Sequence, residues 1–515
     1  MQWKRYKALP SDEKRDETYY IIGLDIGNDS SAIAFYNSND GNAEIIDLSG
    51  GYGRPSSPTV MQYITDTKEW VYGEYAIQNL GTGKEVTLSS MVERLGRSEY
   101  VDVGSKAVSV INVIGLYIKD LMSNVYNINP KAEIAGIVAS IPSYLSVRAK
   151  EELALAFKYA GYDKELIAFV SDRECVFNYY FYNGDDGKKI DGKYLLLDYG
   201  SREVRGGVYN TVDDAVLRSI SSLFENEIGT QIVEERVNEL YTNYYLANNP
   251  IQARKGGALD RSTADHIAMF TYGHKDILFQ KAIKSKPAKL YFNFAFPPFQ
   301  QTVKWEDANN LIDPFRKRFD KFILQVMENA VSAREVNTVI CVGGGFEMLW
   351  AKEAVESLFP QSKLCMFKNS KAVTAMGAAV TAAKMLGAAD GEPMTVEDRH
   401  QLPVDIGILT GDSFIPIAES NSFWWQTHPK RMFIINNAVD GDVPLNILSR
   451  TPEGETNILS DVPLRDLPKR PKGTTRLSIR LKFTSDSEAV AHIKDLGFGE
   501  IFPKSNYEQE IKVTL

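Results

Sequence analysis

The sequence predicts a duplicated α/β domain of two lobes, followed by an all-β sandwich. Three observations carry that expectation. An apolar strand ending in Asp-x-Gly, a turn and a returning strand occur twice: LDIGNDSSAIAFYN from Leu24 and LDYGSREVRGGVYN from Leu197. A repeat separated by a whole domain's length marks duplication rather than a solenoid. Strand and helix signals then recur as far as the Ala-rich stretch Ala372 to Ala383. Beyond Gly391 the Ala runs give way to short β-like runs set off by Asp440-Gly441 and Glu453-Gly454.

The elements follow in order. YYIIGLDIG from Tyr19 is apolar and β-branched, and its Gly-Asn-Asp ending predicts a buried strand entering a turn. SAIAFY (Ser31 to Tyr36) is the returning strand, and Ala43 to Leu48 is another. GGYGRPSSP, Gly50 to Pro58, has the composition of a loop. IAGIVASI, Ile134 to Ile141, is a strand stopped by Pro142. Ala149, Leu153, Ala156, Phe157 and Ala160 share one helical face, and Gly161 terminates that helix. Strands recur at Tyr194 to Leu197 and at Thr338 to Val342, the second running into Gly343-Gly344-Gly345 and a helix. The late β runs are Phe433 to Asn437, Pro444 to Leu448, Thr475 to Phe483, Ala489 to Leu496 and Glu510 to Leu515. Domain limits follow: a leader over 1–18, lobes over about 19–193 and 194–392, a polar linker over 393–402, and the sandwich over 403–515.

The 515 residues suggest about three compact units at roughly 150 residues each. With 24% charged and 44% hydrophobic residues the chain has an ordinary globular profile. The net charge of −9, without a basic stripe, argues against nucleic acid as a partner. Cys175, Cys341 and Cys365 form no CxxC and no Cys/His cluster, which argues against a disulfide scaffold or structural zinc. No stretch approaches the roughly 20 apolar residues of a membrane span, and the charged N-terminus lacks the apolar core of a signal peptide. A cytoplasmic location, with no membrane partner, is expected.

The chemistry sits in the turns. A tight turn points several backbone N–H groups into one concavity, and glycine lets a phosphate approach the main chain. An Asp at the strand end holds magnesium through its waters. Asp25 and Asp198 are therefore the metal candidates. Two homologous turns facing one another across a cleft are far more specific than one. Gly343, Gly344 and Gly345 follow a strand and precede a helix, a setting in which backbone passes close to ribose or phosphate. The small residues Met376-Gly377-Ala378-Ala379 predict tight helix–sheet packing. The histidines are scattered and form no His/Asp/Ser constellation.

These residues resemble the actin-like ATPase superfamily, of ribonuclease H-like fold, and within it the 70-kDa heat-shock chaperones of the DnaK type. GLDIGNDSS (Gly23 to Ser31) resembles that family's first phosphate loop, and LLLDYGSRE (Leu195 to Glu203) stands where its second belongs. RPSSPTV, IPSYLSVRAKEELALAFKYAG, VICVGGG and NSKAVTAMGAAVTAA are similar to its other nucleotide-domain segments. DIGILTGDSFIPIAESN and FIINNAVDGDVPLNILSRTPEGE, closing in EQEIKVTL, resemble its peptide-binding sandwich; the helical lid that follows in the family has no counterpart. The resemblance implies ATP or ADP with magnesium, contacted at Gly27, Asn28, Asp29, Gly200, Ser201, Arg202, Gly343, Gly344 and Gly345. It implies extended or unfolded peptide held at Phe414, Phe433, Asn436 and Asn437. Asp25, Asp172 and Asp198 are the candidates for catalytic roles.

The departures bear on activity. Where the family has two threonines, this chain has Asn28 and Asp29, and a carboxylate repels a γ-phosphate. Gly-Gly-Gly-Thr is replaced by Gly200, Ser201, Arg202 and Glu203. Glu93 stands at the catalytic lysine's position, Asp172-Arg173 at the Glu-Pro pair, and Glu347 near the adenine-stacking arginine. RHQLPVDIG keeps only Leu402 and Val404 of the leucine-rich tether. Two readings stand: a chaperone-like protein that binds nucleotide and peptide, with hydrolysis open, and a pseudo-ATPase interaction scaffold. A sugar or acetate kinase shares the duplicated fold, but the β-domain argues against it.

Overall fold

A computed structural model describes residues 19–49, 53–80, 85–142, 145, 147–183, 192–225, 227–249, 259–328, 330–397, 402, 404–410, 413–420, 422, 424, 428, 430–451, 454–483 and 488–515. The expected leader and most of the linker's second half lie outside them. The chain divides into two compact units, Met1–Ile141 with Glu151–Glu397, and Pro142–Lys150 with Asp398–Leu515.

The first unit holds two six-stranded sheets of matching topology. Sheet I contains β1 (Tyr19–Ile26), β2 (Ser30–Asn37), β3 (Asn42–Ile45), β4 (Glu133–Ile141) and β5 (Ile167–Ser171), in the order β5-β4-β1-β2-β3, with Ser57–Pro58 on β2. Sheet II contains β6 (Lys193–Tyr199), β7 (Val204–Asp213), β8 (Val216–Glu225), β9 (Thr338–Val342), β10 (Lys363–Met366) and β11 (Thr395–Glu397), in the order β10-β9-β6-β7-β8-β11. In each sheet the leading strand pairs antiparallel with its hairpin partner and parallel with the strand that returns after a crossover. The sequence repeat is therefore a structural repeat.

Two helices fill the space between the sheets. They are α1 (Asp172–Asn183) and, after α2 (Thr230–Asn248), α3 (Val373–Leu386). One buried cluster joins Ile21, Ala32 and Ala34 of sheet I, Tyr194, Leu196 and Ile340 of sheet II, Phe177 of α1 and Ala375, Ala378 and Ala379 of α3. The small residues of α3 are what permit this. A Cβ on Gly377 would collide with the Cys175 carbonyl of α1, so the close approach of the helices requires glycine there. The other face of sheet II carries a larger core with α2 and the helix Trp305–Met327. Among the described residues no helix is long and apolar enough to cross a membrane.

The second unit contains two four-stranded antiparallel sheets. Strands β12 (Asp405–Thr410), β13 (Ser413–Ala418), β15 (Asn446–Arg450) and β16 (Thr456–Asp461) run in the order β13-β12-β15-β16. Strands β14 (Arg431–Ile435), β17 (Thr475–Phe483), β18 (Glu488–Asp495) and β19 (Glu508–Thr514) run in the order β14-β17-β18-β19. Alternating residues such as Leu477, Ile479, Ala491, Ile493 and Val513 form one core with Ile406, Ile408 and Ile447. Beneath it Arg470 and Asp495 form a bidentate pair at 2.8 and 2.7 Å, with side chains 6% and 0% exposed. Asp495 also accepts from the amides of Gly497 at 2.9 Å and Ser505 at 2.8 Å.

Candidate functional site

The site grows from the two repeated hairpins. β1 and β2 join through Asn28 and Asp29, a turn closed by the Gly27 amide donating to the Ser30 carbonyl at 3.1 Å. β6 and β7 join through Ser201 and Arg202, closed by the Gly200 amide and Glu203 carbonyl at 3.0 Å. These registers put Asp25 opposite Ala32 and beside Ser140, and Asp198 opposite Arg205 and beside Val342. The Ser140 hydroxyl donates to Asp25 Oδ1 at 2.6 Å.

Arg205 pairs with three carboxylates. Its guanidinium pairs with Asp172, the first residue of α1. It stands 3.5 Å from the Asp198 carboxylate and 3.0 Å from that of Glu203. Burial pushes the Asp25 carboxyl up to about 7; the Ser140 hydrogen bond and Arg205 oppose that rise, and Asp172 and Asp198 add to it. Burial likewise raises Asp198 to about 6, against Arg205 and with help from Asp172 and Glu203. Arg205 joins Asp172 to Asp198, and both of those carboxylates act on Asp25, so the three candidate aspartates lie near one another.

The turn residues make a second set of contacts. Arg202 bonds to the Ser90 hydroxyl and lies 3.4 Å from the Glu93 carboxylate. The Glu93 amide in turn donates to Asn28 Oδ1 at 3.0 Å. Glu93 thus touches both turns. Its segment is held from behind by buried Glu152, which accepts from the Gly96 amide at 2.6 Å and from the Ser98 amide and hydroxyl at 3.1 Å. Asp29 is exposed, and its carbonyl accepts from the Thr59 amide at 2.7 Å. The first amides of α2 are already bonded, Thr230 to the Gly200 carbonyl at 3.1 Å and Gln231 to that of Ser201 at 2.9 Å.

The triple glycine lies against the second hairpin. Gly343 has φ 91°, and a Cβ there would meet the Tyr199 carbonyl at 2.5 Å and Asp198 Oδ1 at 2.7 Å. Gly344 abuts the Lys371 side chain, and Gly345 the Tyr199 ring. Exposed Glu347 lies 3.6 Å from Lys371 Nζ.

A magnesium ion needs carboxylates whose charge is still available. Here the guanidinium of Arg205 already pairs with Asp172, Asp198 and Glu203 and stands among them. Among the described residues, no group of three or more His, Cys, Asp and Glu is placed to hold a metal ion. With Arg205 among the carboxylates, the described residues as arranged do not fit a magnesium ion held directly by side chains. Arg205 was invisible to motif reading, yet the repeat contains its signal: aligning the two copies sets Arg205 on Ala32, directly opposite the motif aspartate.

The four residues expected to bind peptide stand in the second unit, Phe414 and Phe433 on different sheets and Asn436 and Asn437 beyond the end of a strand. Phe414 lies on edge strand β13 under the Arg450 guanidinium, 4.3 Å from its ring centre. Phe433, on edge strand β14, packs partly against the core, and Asn436 and Asn437 follow it, exposed.

Comparison with known proteins agrees with the architecture. Residues 401–515 match a Domain of unknown function (DUF8552), and residues 43–205 match a Family of unknown function (DUF5716) C-terminal model. The chain is 23% identical over 502 positions to the Chaperone protein DnaK of Thermosipho melanesiensis, covering 93% of this chain and 79% of that one. It is 22% identical to the proteins of the same name from Thermosipho africanus and Thermotoga neapolitana, with the same coverage. The chain is a distant relative of the 70-kDa heat-shock chaperones.

Proposed function

We propose that this chain is a chaperone-like scaffold: it takes extended peptide segments in its β-sandwich and does not turn over magnesium-ATP. The observation that carries this reading is Arg205, hydrogen-bonded to Asp172 and in ion-pair contact with Asp198 and Glu203 where phosphoryl transfer would need a metal. Glu93 supports it. A carboxylate there repels a γ-phosphate; it is already paired with Arg202, while the Glu93 amide donates to Asn28. Distant kinship with DnaK supports the peptide-binding half. Extended peptide would gain main-chain hydrogen bonds and a side-chain pocket near Phe433, Asn436 and Asn437. The test is a phosphate-release assay with magnesium-ATP, beside fluorescence anisotropy with a library of extended peptides. No turnover and saturable peptide binding are expected. Turnover abolished by Asp198→Asn would overturn the scaffold reading, and absence of peptide binding would overturn the chaperone-like half.

A second reading, that ATP or ADP docks without hydrolysis, is favoured by the glycine turn at Gly343 pressed against Asp198. Isothermal titration with each nucleotide, with and without magnesium, separates it from the first; binding at or below millimolar concentration supports docking.

A further inference from the structure

We propose that Arg205 is the built-in cation of the cleft, a residue that excludes divalent metal by holding the place such an ion would take. The inference deepens the scaffold reading, on which it rests for its starting geometry. The two hairpins supply an internal comparison. They share strand pairing and turn length, and each carries an aspartate on the strand before its turn. In the first copy the residue opposite that aspartate is Ala32, too short to touch it. In the second it is Arg205, whose guanidinium contacts Asp172, Asp198 and Glu203 at once.

Geometry, not chance, puts it there. Antiparallel pairing fixes Arg205 beside Asp198, and Asp172 enters as the first residue of α1, so carboxylates from two separate elements meet the same planar fork. A metal ion and a guanidinium cannot both occupy a space of hydrogen-bond dimensions among these groups, since like charges at that separation repel strongly. The guanidinium is tethered, and stays charged at every physiological pH. Metal must therefore displace it against the effective concentration of a covalent attachment.

The test is a manganese titration followed by electron paramagnetic resonance on the full chain, with no nucleotide present. Wild type, Arg205→Gln and Arg205→Gln/Asp198→Asn are compared. Wild type is expected to leave manganese free at millimolar concentration. Arg205→Gln is expected to bind it at least about tenfold more tightly, and the double variant to lose that gain. Equal binding by wild type and folded Arg205→Gln overturns the proposal. Should Arg205→Gln unfold in chelator, millimolar magnesium is expected to restore its circular dichroism; a chain that stays unfolded with metal also overturns it. Because nucleotide is absent, ATP turnover by wild type would end the scaffold reading without deciding this comparison.

Discussion

Replacing Asp25 by asparagine is expected to make the first unit more stable at pH 8 and to leave it unchanged at pH 4. The carboxyl of Asp25 is pushed up to about 7 from its ordinary value of 3.8, chiefly by burial, and the neighbouring Asp172 and Asp198 charges add to the rise. Between pH 4 and pH 7 the folded protein holds a proton that the unfolded chain has released. Stability therefore declines as pH climbs through that window, and the full cost is present above pH 7. At about 1.36 kcal/mol for each pH unit, a carboxylate fully shielded from water would cost about 4 kcal/mol. Asp25 keeps some contact with solvent, and screening reduces the figure to about 1–2 kcal/mol. An asparagine removes the charge while its Oδ1 still accepts the Ser140 hydroxyl. Urea unfolding of the full chain at pH 4 and pH 8, with hydrogen exchange resolving β1, measures the difference. A variant less stable than wild type at pH 8, or one that gains equally at both pH values, would refute the reasoning.

Further outcomes follow from other contacts. Arg470→Met strands the Asp495 carboxylate in the second unit and is expected to cost about 3–5 kcal/mol in urea unfolding at pH 7. Burial raises the Asp495 carboxyl, but Arg470 and the Gly497 and Ser505 amides outweigh it and hold it down at about 2. That carboxylate's contribution is present above pH 4 and lost as pH falls toward 2, so Asp495→Asn should cost much less at pH 2 than at pH 7 in the same assay. Gly343→Ala forces a side chain into a left-handed backbone, against the Tyr199 carbonyl and Asp198; a loss of at least about 2 kcal/mol in thermal unfolding is expected. Glu152→Gln turns one of the two accepting oxygens into a donor group, which should speed hydrogen exchange at whichever of the Gly96 and Ser98 amides loses its acceptor and cost about 1–3 kcal/mol.

Local grammar made much of the fold legible. Apolar strands ending in Asp-x-Gly announced β1 and β6, and short β-like runs among turn signals announced β17 and β18. Strand ends moved by a few residues: Ala43 to Leu48 is realised as Asn42–Ile45, and Phe433 to Asn437 as Arg431–Ile435. Tertiary pairing, not propensity, decides where a strand stops. The tight helix–sheet packing expected of the small residues is found at Gly23 of β1, which lies against Ala375, Ala378 and Ala379, while Gly377 itself meets another helix, α1, because small residues advertise close approach without naming the neighbour. The aspartates were legible for the same reason: both belong to a repeated local motif. Arg205 was not. Its importance arises only when antiparallel register sets it against Asp198 and a separate helix delivers Asp172. Glu93 was noticed as a departure, but its attachment to both turns needed coordinates, since Ser90, Arg202 and Asn28 lie far apart along the chain.

The short strand β11 has a mechanical consequence. The Val396 amide donates to Glu174 Oε1 at 3.0 Å, and the Met394 amide to Asn178 Oδ1 at 2.9 Å, while Arg218 of β8 grips Glu397 at 3.0 Å. Glu174 and Asn178 belong to the helix that begins with Asp172. Tension on the polypeptide beyond Glu397 is therefore loaded onto two anchors of α1, within a turn or two of the carboxylate that Arg205 grips. A tug on the tail is felt at the head of that helix.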